Sequence, residues 1–249
     1  RQTPRPRDPQ YRQAFRTASR AGQTGTSLND ATIPSGSTPI SIATEHGPVH
    51  GVLTLPATPA ALVVLTHAGP TPEARDDALA AVLRHAGIGT LSLDLLTDSE
   101  ERFADIHHNV SLLSRRLLEG LNLVKQRMLV GELPTLPIGL CGVGDCSPVV
   151  LRVAALRDHD IFALVCRGGL IDLAGVVYLR SLTAPLLVLV DENDAGGTMS
   201  NRRALRELSC RQELQSLPAS VLSPDSAVAF ECVARATVHW FVDHLHHGH

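Results

Sequence analysis

Between Leu140 and Pro148 the chain reads Leu-Cys-Gly-Val-Gly-Asp-Cys-Ser-Pro. An apolar run ends there, glycines interrupt it, and a helix-forming stretch follows. A sharp strand–turn–helix junction holds its middle residue clear of the backbone, where a Ser, Cys or Asp can act as a nucleophile. In Gly142-Val143-Gly144-Asp145-Cys146 that middle residue is a glycine, which cannot attack anything. Nucleophilic chemistry would have to come from a neighbour. Cys141 is one candidate, against the plainer reading of a buried strand thiol. Cys146 is another, because a helix start lowers a thiol pKa, but the sequence sets no histidine beside it. Asp145 could serve as a carboxylate nucleophile only if the turn slipped by one residue.

Other residues bear on the same end of the chain's strands. His67 closes the apolar run AALVVLTH; with Ala68 it would border a pocket shared with Val143, Asp145 and Cys146. It reads either as a hydrogen-bonded structural histidine or as a base or ligand contact. Asp191 to Gly197, Asp-Glu-Asn-Asp-Ala-Gly-Gly, looks like a calcium loop without the acidic closing residue that such a loop needs. His244, His246, His247 and His249 would take up nickel or zinc in vitro without forming a physiological site. No metal site is expected. No phosphate-binding glycine loop or dinucleotide fingerprint stands at a strand–helix junction, so no cofactor is expected either.

The bulk numbers set limits. The 249 residues suit one α/β domain and an arm, and 44% apolar residues can fill a large core. With aromatics at only 3%, Leu, Val and Ala must build it. A net charge of -3 gives no reason to expect nucleic-acid binding. Five irregularly spaced cysteines, Cys141, Cys146, Cys166, Cys210 and Cys232, with no Cys-x-x-Cys pair, read as reduced thiols of a cytoplasmic protein. No apolar run approaches the ~20 residues that span a bilayer, and no signal-peptide pattern is present.

Residues 1–38 differ in character from 39–249. Arginines stand at 1, 5, 7, 12, 16 and 20 against the acid Asp8 in the first twenty residues. A disordered tail, an arm that orders on an acidic partner through Arg5, Arg7, Arg12 and Arg16, and a cleaved transit peptide all fit this pattern. From Pro39 onward strands and helices alternate. ISIAT and VHGVLTL read as a hairpin. AALVVLTH, IGTLSLDLL, LPIGLCG, IFALVCRGG and APLLVLVDEND read as strands, and QELQSL as a short edge strand. Between them fall helices at DDALAAVLRHAG, DIHHNVSLLSRRLLEGLNLVKQRML, SPVVLRVAALR (Ser147 as N-cap, Pro148 in first position), NRRALRELS and AVAFECVARATVHWFVDHL. Such alternation implies a parallel sheet covered on both faces.

Four stretches carry a resemblance: TLSLDLLTDSEER, CRGGLIDLAG at 166–175, APLLVLVDEND at 184–194 and the closing HWFVDHL. Through them the chain from about 40 to 245 resembles the dienelactone-hydrolase-like α/β-hydrolases, including those fused to phosphoribosyltransferases. The most specific part is Arg167-Gly168-Gly169 with Asp172-Leu173-Ala174-Gly175, which matches that group's RGGxxDLAG. The resemblance implies an α/β-hydrolase fold with a mainly parallel sheet of about eight strands, helices on both faces and no large cap.

In that family a turn Ser attacks, a late-loop His takes its proton and an acid after a strand holds the His. Gap-free counting puts these positions at Gly144, Leu222 and Asp194. Only the acid is kept. An oxyanion hole would draw on the Asp145 amide and on the loop from His67, which is about two residues shorter than the family's. The expectation is a catalytically degenerate homologue serving as a structural, accessory or regulatory subunit, with a protein partner met through the arm. Two alternatives stand beside it: an active hydrolase using Cys141 or Cys146, and a binding module for a small carboxylate or lactone.

Overall fold

The computed structural model describes residues 36–69, 73–157, 160–218 and 227–245. An eight-stranded sheet in the order β1-β2-β4-β3-β5-β6-β7-β8 organises them. β1 (Ser37–Thr44) and β2 (Gly47–Thr54) form the expected antiparallel hairpin, and β2 lies antiparallel to β4 (Ile88–Asp94). β3 (Ala61–His67), β5 (Ile138–Val143), β6 (Ile161–Arg167), β7 (Leu186–Asp191) and β8 (Gln212–Leu217) continue the sheet in parallel. β1 starts at Ser37, two residues inside the stretch assigned to the arm. The arm arginines Arg5, Arg7, Arg12 and Arg16 lie outside the described residues.

β3 shows why the apolar runs become central strands. Ala61 to Thr66 are all buried, because both faces of the strand are covered. The strand period of two then splits its side chains between layers. Leu62 and Val64 join a core with Leu113, Leu117, Val149 and Val153. Val63 and Leu65 join a second core with Leu79, Leu83, Val238 and Phe241 on the other side. The first layer is roofed by α3 (Val110–Leu129) and α4 (Cys146–Leu156), the second by α1 (Glu73–His85) and α7 (Ala227–Leu245).

One expected helix is two. α2 (Ala104–His107) stops at His108, and α3 starts afresh behind Asn109, whose Oδ1 accepts the Leu112 N–H at 3.0 Å. An Asn in the N-cap position satisfies a first-turn amide that would otherwise lack a partner. Ahead of this break, the loop after β4 is bolted to α3. Buried Arg116 donates from Nη1 and Nη2 to the two Glu100 carboxylate oxygens, 2.6 Å each, and from Nη1 to the Leu95 carbonyl at 2.7 Å. Thr97 donates to Glu100 from both its amide and its hydroxyl.

Candidate functional site

β5 ends at Val143 and α4 begins at Cys146, so the turn is Gly144-Asp145. Gly144 has φ +56°, a left-handed conformation that a glycine adopts without a side-chain clash. Asp145, not Ser147, stands at the N-cap position, without a side-chain capping hydrogen bond, and Ser147 lies inside the first helical turn. Its buried hydroxyl donates to the Gly168 carbonyl at 2.7 Å. The backbone is packed tightly around the turn. A Cβ on Gly142 would stand 2.6 Å from the Cys146 carbonyl oxygen, and one on Gly169 would collide with that of Gly144. The Arg167-Gly168-Gly169 segment is therefore the wall against which the turn is built. Buried Asn201, on α6 (Ala195–Leu205), holds that wall from outside. It donates to the Gly169 carbonyl and accepts from the Ile171 amide, both at 3.0 Å.

The candidate nucleophiles fare differently in three dimensions. Cys141 sits in the middle of β5, paired with Leu65 on one side and Val165 on the other, and is 1% exposed. Burial pushes its thiol up to about 11, although the Arg167 guanidinium works the other way. Cys146 is fully buried, and burial drives its thiol far above the ordinary range despite the Thr66 hydroxyl beside it. The lowering expected from the helix start is outweighed by desolvation. Neither thiol is a thiolate at neutral pH. Asp145 stays at the surface, where its Oδ1 meets the His108 Nδ1 at 3.1 Å.

His67 lies between two carboxylates. Its Nδ1 is 3.9 Å from Asp76 Oδ2, and its Nε2 is 3.7 Å from Asp94 Oδ2. These are longer than hydrogen bonds, and Nδ1 is enclosed without a partner. Both carboxylates flank the ring without reaching hydrogen-bond distance. Burial raises the Asp94 carboxyl above the usual range, against the pull of the Leu96 amide at 2.9 Å and of His67. Asp76 in turn accepts from Arg167 Nη2 at 2.7 Å, and both residues are buried. Ala68 contributes its carbonyl, which meets His107 Nδ1 at 3.2 Å. The sequence reading missed the Asp76–Arg167 pair and Asn201.

Asp194 follows β7 as the N-cap of α6, exposed, with Oδ1 accepting the Gly197 amide at 2.8 Å. Leu222 lies outside the described residues, in the 218–226 connection between β8 and α7. A cavity of about 350 Å³ is lined by Glu192, Ala195, Thr198, Met199, Arg202 and Ser216. None of the residues expected to border a pocket, His67, Ala68, Val143, Asp145 and Cys146, belongs to its lining. Among the described residues no group of three or more His, Cys, Asp or Glu side chains could hold a metal ion. No described helix is long and apolar enough to cross a membrane.

The geometry has counterparts in known proteins. No protein-family model matches the chain. Two Mycobacterium tuberculosis proteins, from strains CDC 1551 / Oshkosh and ATCC 25618 / H37Rv, are 32% identical over 200 residues and carry the name of a phosphoribosyl transferase. The match takes in 80% of this chain, and the chain spans only 44% of the length of those curated relatives. The crystal structure of dienelactone hydrolase from Anabaena variabilis superposes with a TM-score of 0.75 at 28% identity, over 84% of this chain and 97% of that one. Est1E from Butyrivibrio proteoclasticus shares the fold, with a TM-score of 0.65 at 13% identity over 83% and 98% of the two chains. The strand order and the mainly parallel sheet go together with these likenesses: the chain has an α/β-hydrolase fold similar to that of dienelactone hydrolase.

Proposed function

We propose that this α/β-hydrolase homologue is not a catalyst and works as an accessory subunit in a cytoplasmic protein assembly. One observation carries the reading. The turn that would present a nucleophile is built around Gly144 at φ +56°, and the thiols nearest to it, Cys141 and Cys146, are buried and protonated. Gly144, Asp194 and Leu222 are then the vestiges of a triad whose attacking and proton-accepting side chains are gone. The relatives suggest the company this domain keeps. Their chains hold a matching stretch together with more than as much again of other sequence, under the name of a phosphoribosyl transferase. The partner we favour is a phosphoribosyltransferase domain.

The test is turnover of a nitrophenyl-ester series by the purified chain, beside Gly144→Ser/Leu222→His. The wild type is expected to be silent and the double variant to gain measurable hydrolysis, since the left-handed turn and the wall behind it remain. Wild-type turnover that is abolished by replacing Cys141 or Cys146 would overturn the proposal.

A further inference from the structure

The short helix α2 is set apart from α3 by the break at His108 and Asn109, and its end reaches segments that follow three different strands. His107 Nδ1 meets the Ala68 carbonyl after β3, and His107 Nε2 meets the Glu101 carbonyl after β4, both at 3.2 Å. Both partners can only accept. A neutral imidazole carries one N–H and serves one of them, which leaves a ring lone pair facing the other carbonyl. The doubly protonated ring donates to both. That ring packs directly on the backbone after β3, since a Cβ on Gly69 would collide with it. His108 Nδ1 meets Asp145 Oδ1 at 3.1 Å, on the turn after β5. Protonation turns this contact into a charge-assisted one, which is stronger than its neutral form. Each of the three contacts is thus at its best when the ring carries a positive charge.

The charges around the two rings are mainly acidic. Asp94 on β4 interacts electrostatically with both His107 and His67. Asp145 faces His108 from the turn. Glu101, Arg102 and Asp105 are the charged residues of the segment itself. Arg167, the cation that ends β6, is taken up by Asp76.

We infer that α2 is a strap over the carboxyl edge of the sheet, fastened when His107 and His108 take up protons and loosened when they lose them. The strap grips Ala68 and Asp145, so its state sets access to the edge at which the turn at Gly144 stands. The break at His108 supplies the hinge. Asn109 caps α3 with its own side chain, through the Leu112 amide, so α3 keeps its start while α2 moves. Nothing in the strap depends on whether the chain turns over a substrate.

The experiment is hydrogen–deuterium exchange of the full chain at pH 5 and pH 8, the range over which histidine changes charge, read by peptide mass and corrected for the intrinsic pH dependence of exchange. Peptides covering 101–108 report the strap, and peptides within α3 report the fold. A hydrogen bond from a charged donor shifts a local opening equilibrium by about tenfold or more. Strap protection is therefore expected to fall about tenfold or more from pH 5 to pH 8, with α3 unchanged. In His107→Gln/His108→Gln it is expected to be equal at the two pH values. A fall that persists in the double variant, or a wild type whose strap and α3 respond alike, overturns the proposal. Nuclear magnetic resonance of the wild type gives a second measurement that needs no variant. The carbonyl carbons of Ala68 and Glu101 should shift together with the titration of the His107 ring nitrogens, and carbonyls that ignore that titration overturn the strap.

Discussion

Asp76→Asn removes one charge and almost no volume from the buried pair beneath the turn. Arg167 is 5% exposed and donates to Asp76 Oδ1 at 2.7 Å. Burial opposes the Arg167 charge, yet Cys141 and Asp76 outweigh it and move its pKa up. Of these two, Cys141 contributes no charge at neutral pH, because burial holds its thiol at about 11. The variant therefore leaves a guanidinium in the core without its counter-charge. Breaking a buried pair in this way costs about 3–5 kcal/mol. At about 2–4 °C per kcal/mol for a chain of this size, Tm should fall by roughly 6–20 °C. Urea melts at pH 7 should show a lower midpoint at an unchanged slope. Asp76→Leu/Arg167→Met replaces both charges with apolar groups, and it should recover most of the loss, since a buried pair gains little over a well-packed apolar one. If Asp76→Asn costs under ~1 kcal/mol, or if the double variant equals the sum of the singles, the pair does not hold the site together.

Two further outcomes concern pH. Arg116 holds the Glu100 carboxyl down at about 2 against an ordinary 4.5. A depressed carboxyl contributes stability that is complete above its unfolded value and lost as pH falls through the folded one. The wild type should thus lose about 3 kcal/mol between pH 4.5 and 2, and Glu100→Gln should flatten that limb of an acid-unfolding series. Asp94 has the opposite sign. Burial raises its carboxyl, so the native state keeps the proton longer and stability declines as pH rises through the folded value. Asp94→Asn keeps an acceptor for the Leu96 amide, and melts between pH 4 and 8 should show that decline removed; an unchanged slope would place its origin elsewhere.

Much of the fold was legible because parallel strands are buried on both faces. Runs such as Ala61 to Thr66 have no polar residue long enough to reach water, and that pattern is visible in one dimension. The break at His108 was not, since no Pro or Gly marks it; Asn109 earns its N-cap only once α3 is seen to start there. The turn falls at Gly144 as its glycines suggest, and Cys141 is the buried strand thiol of its plainer reading. A helix start suggests a lowered thiol pKa, whereas complete burial of Cys146 decides the matter in the other direction. The Asp76–Arg167 pair spans 91 positions, and only the sheet order brings β6 within reach of α1. A weak signal existed: His67, Asp94 and Arg167 each close an apolar strand run with a polar side chain. Such endings on the parallel strands β4, β3 and β6, the last separated from β3 only by β5, point to a shared polar cluster at the carboxyl edge of the sheet.

The division of β3 between two cores bears on how this chain can change over generations. Val64 and Leu65 are sequence neighbours, yet they belong to separate packed layers. A void opened in one layer cannot be filled from the other, because the hydrogen-bonded sheet lies between them. Compensating substitutions must then come from the same side, and each layer can drift as its own neighbourhood. The backbone around Gly142, Gly144 and Gly169 belongs to neither neighbourhood, and it can persist while the side chains on both sides turn over.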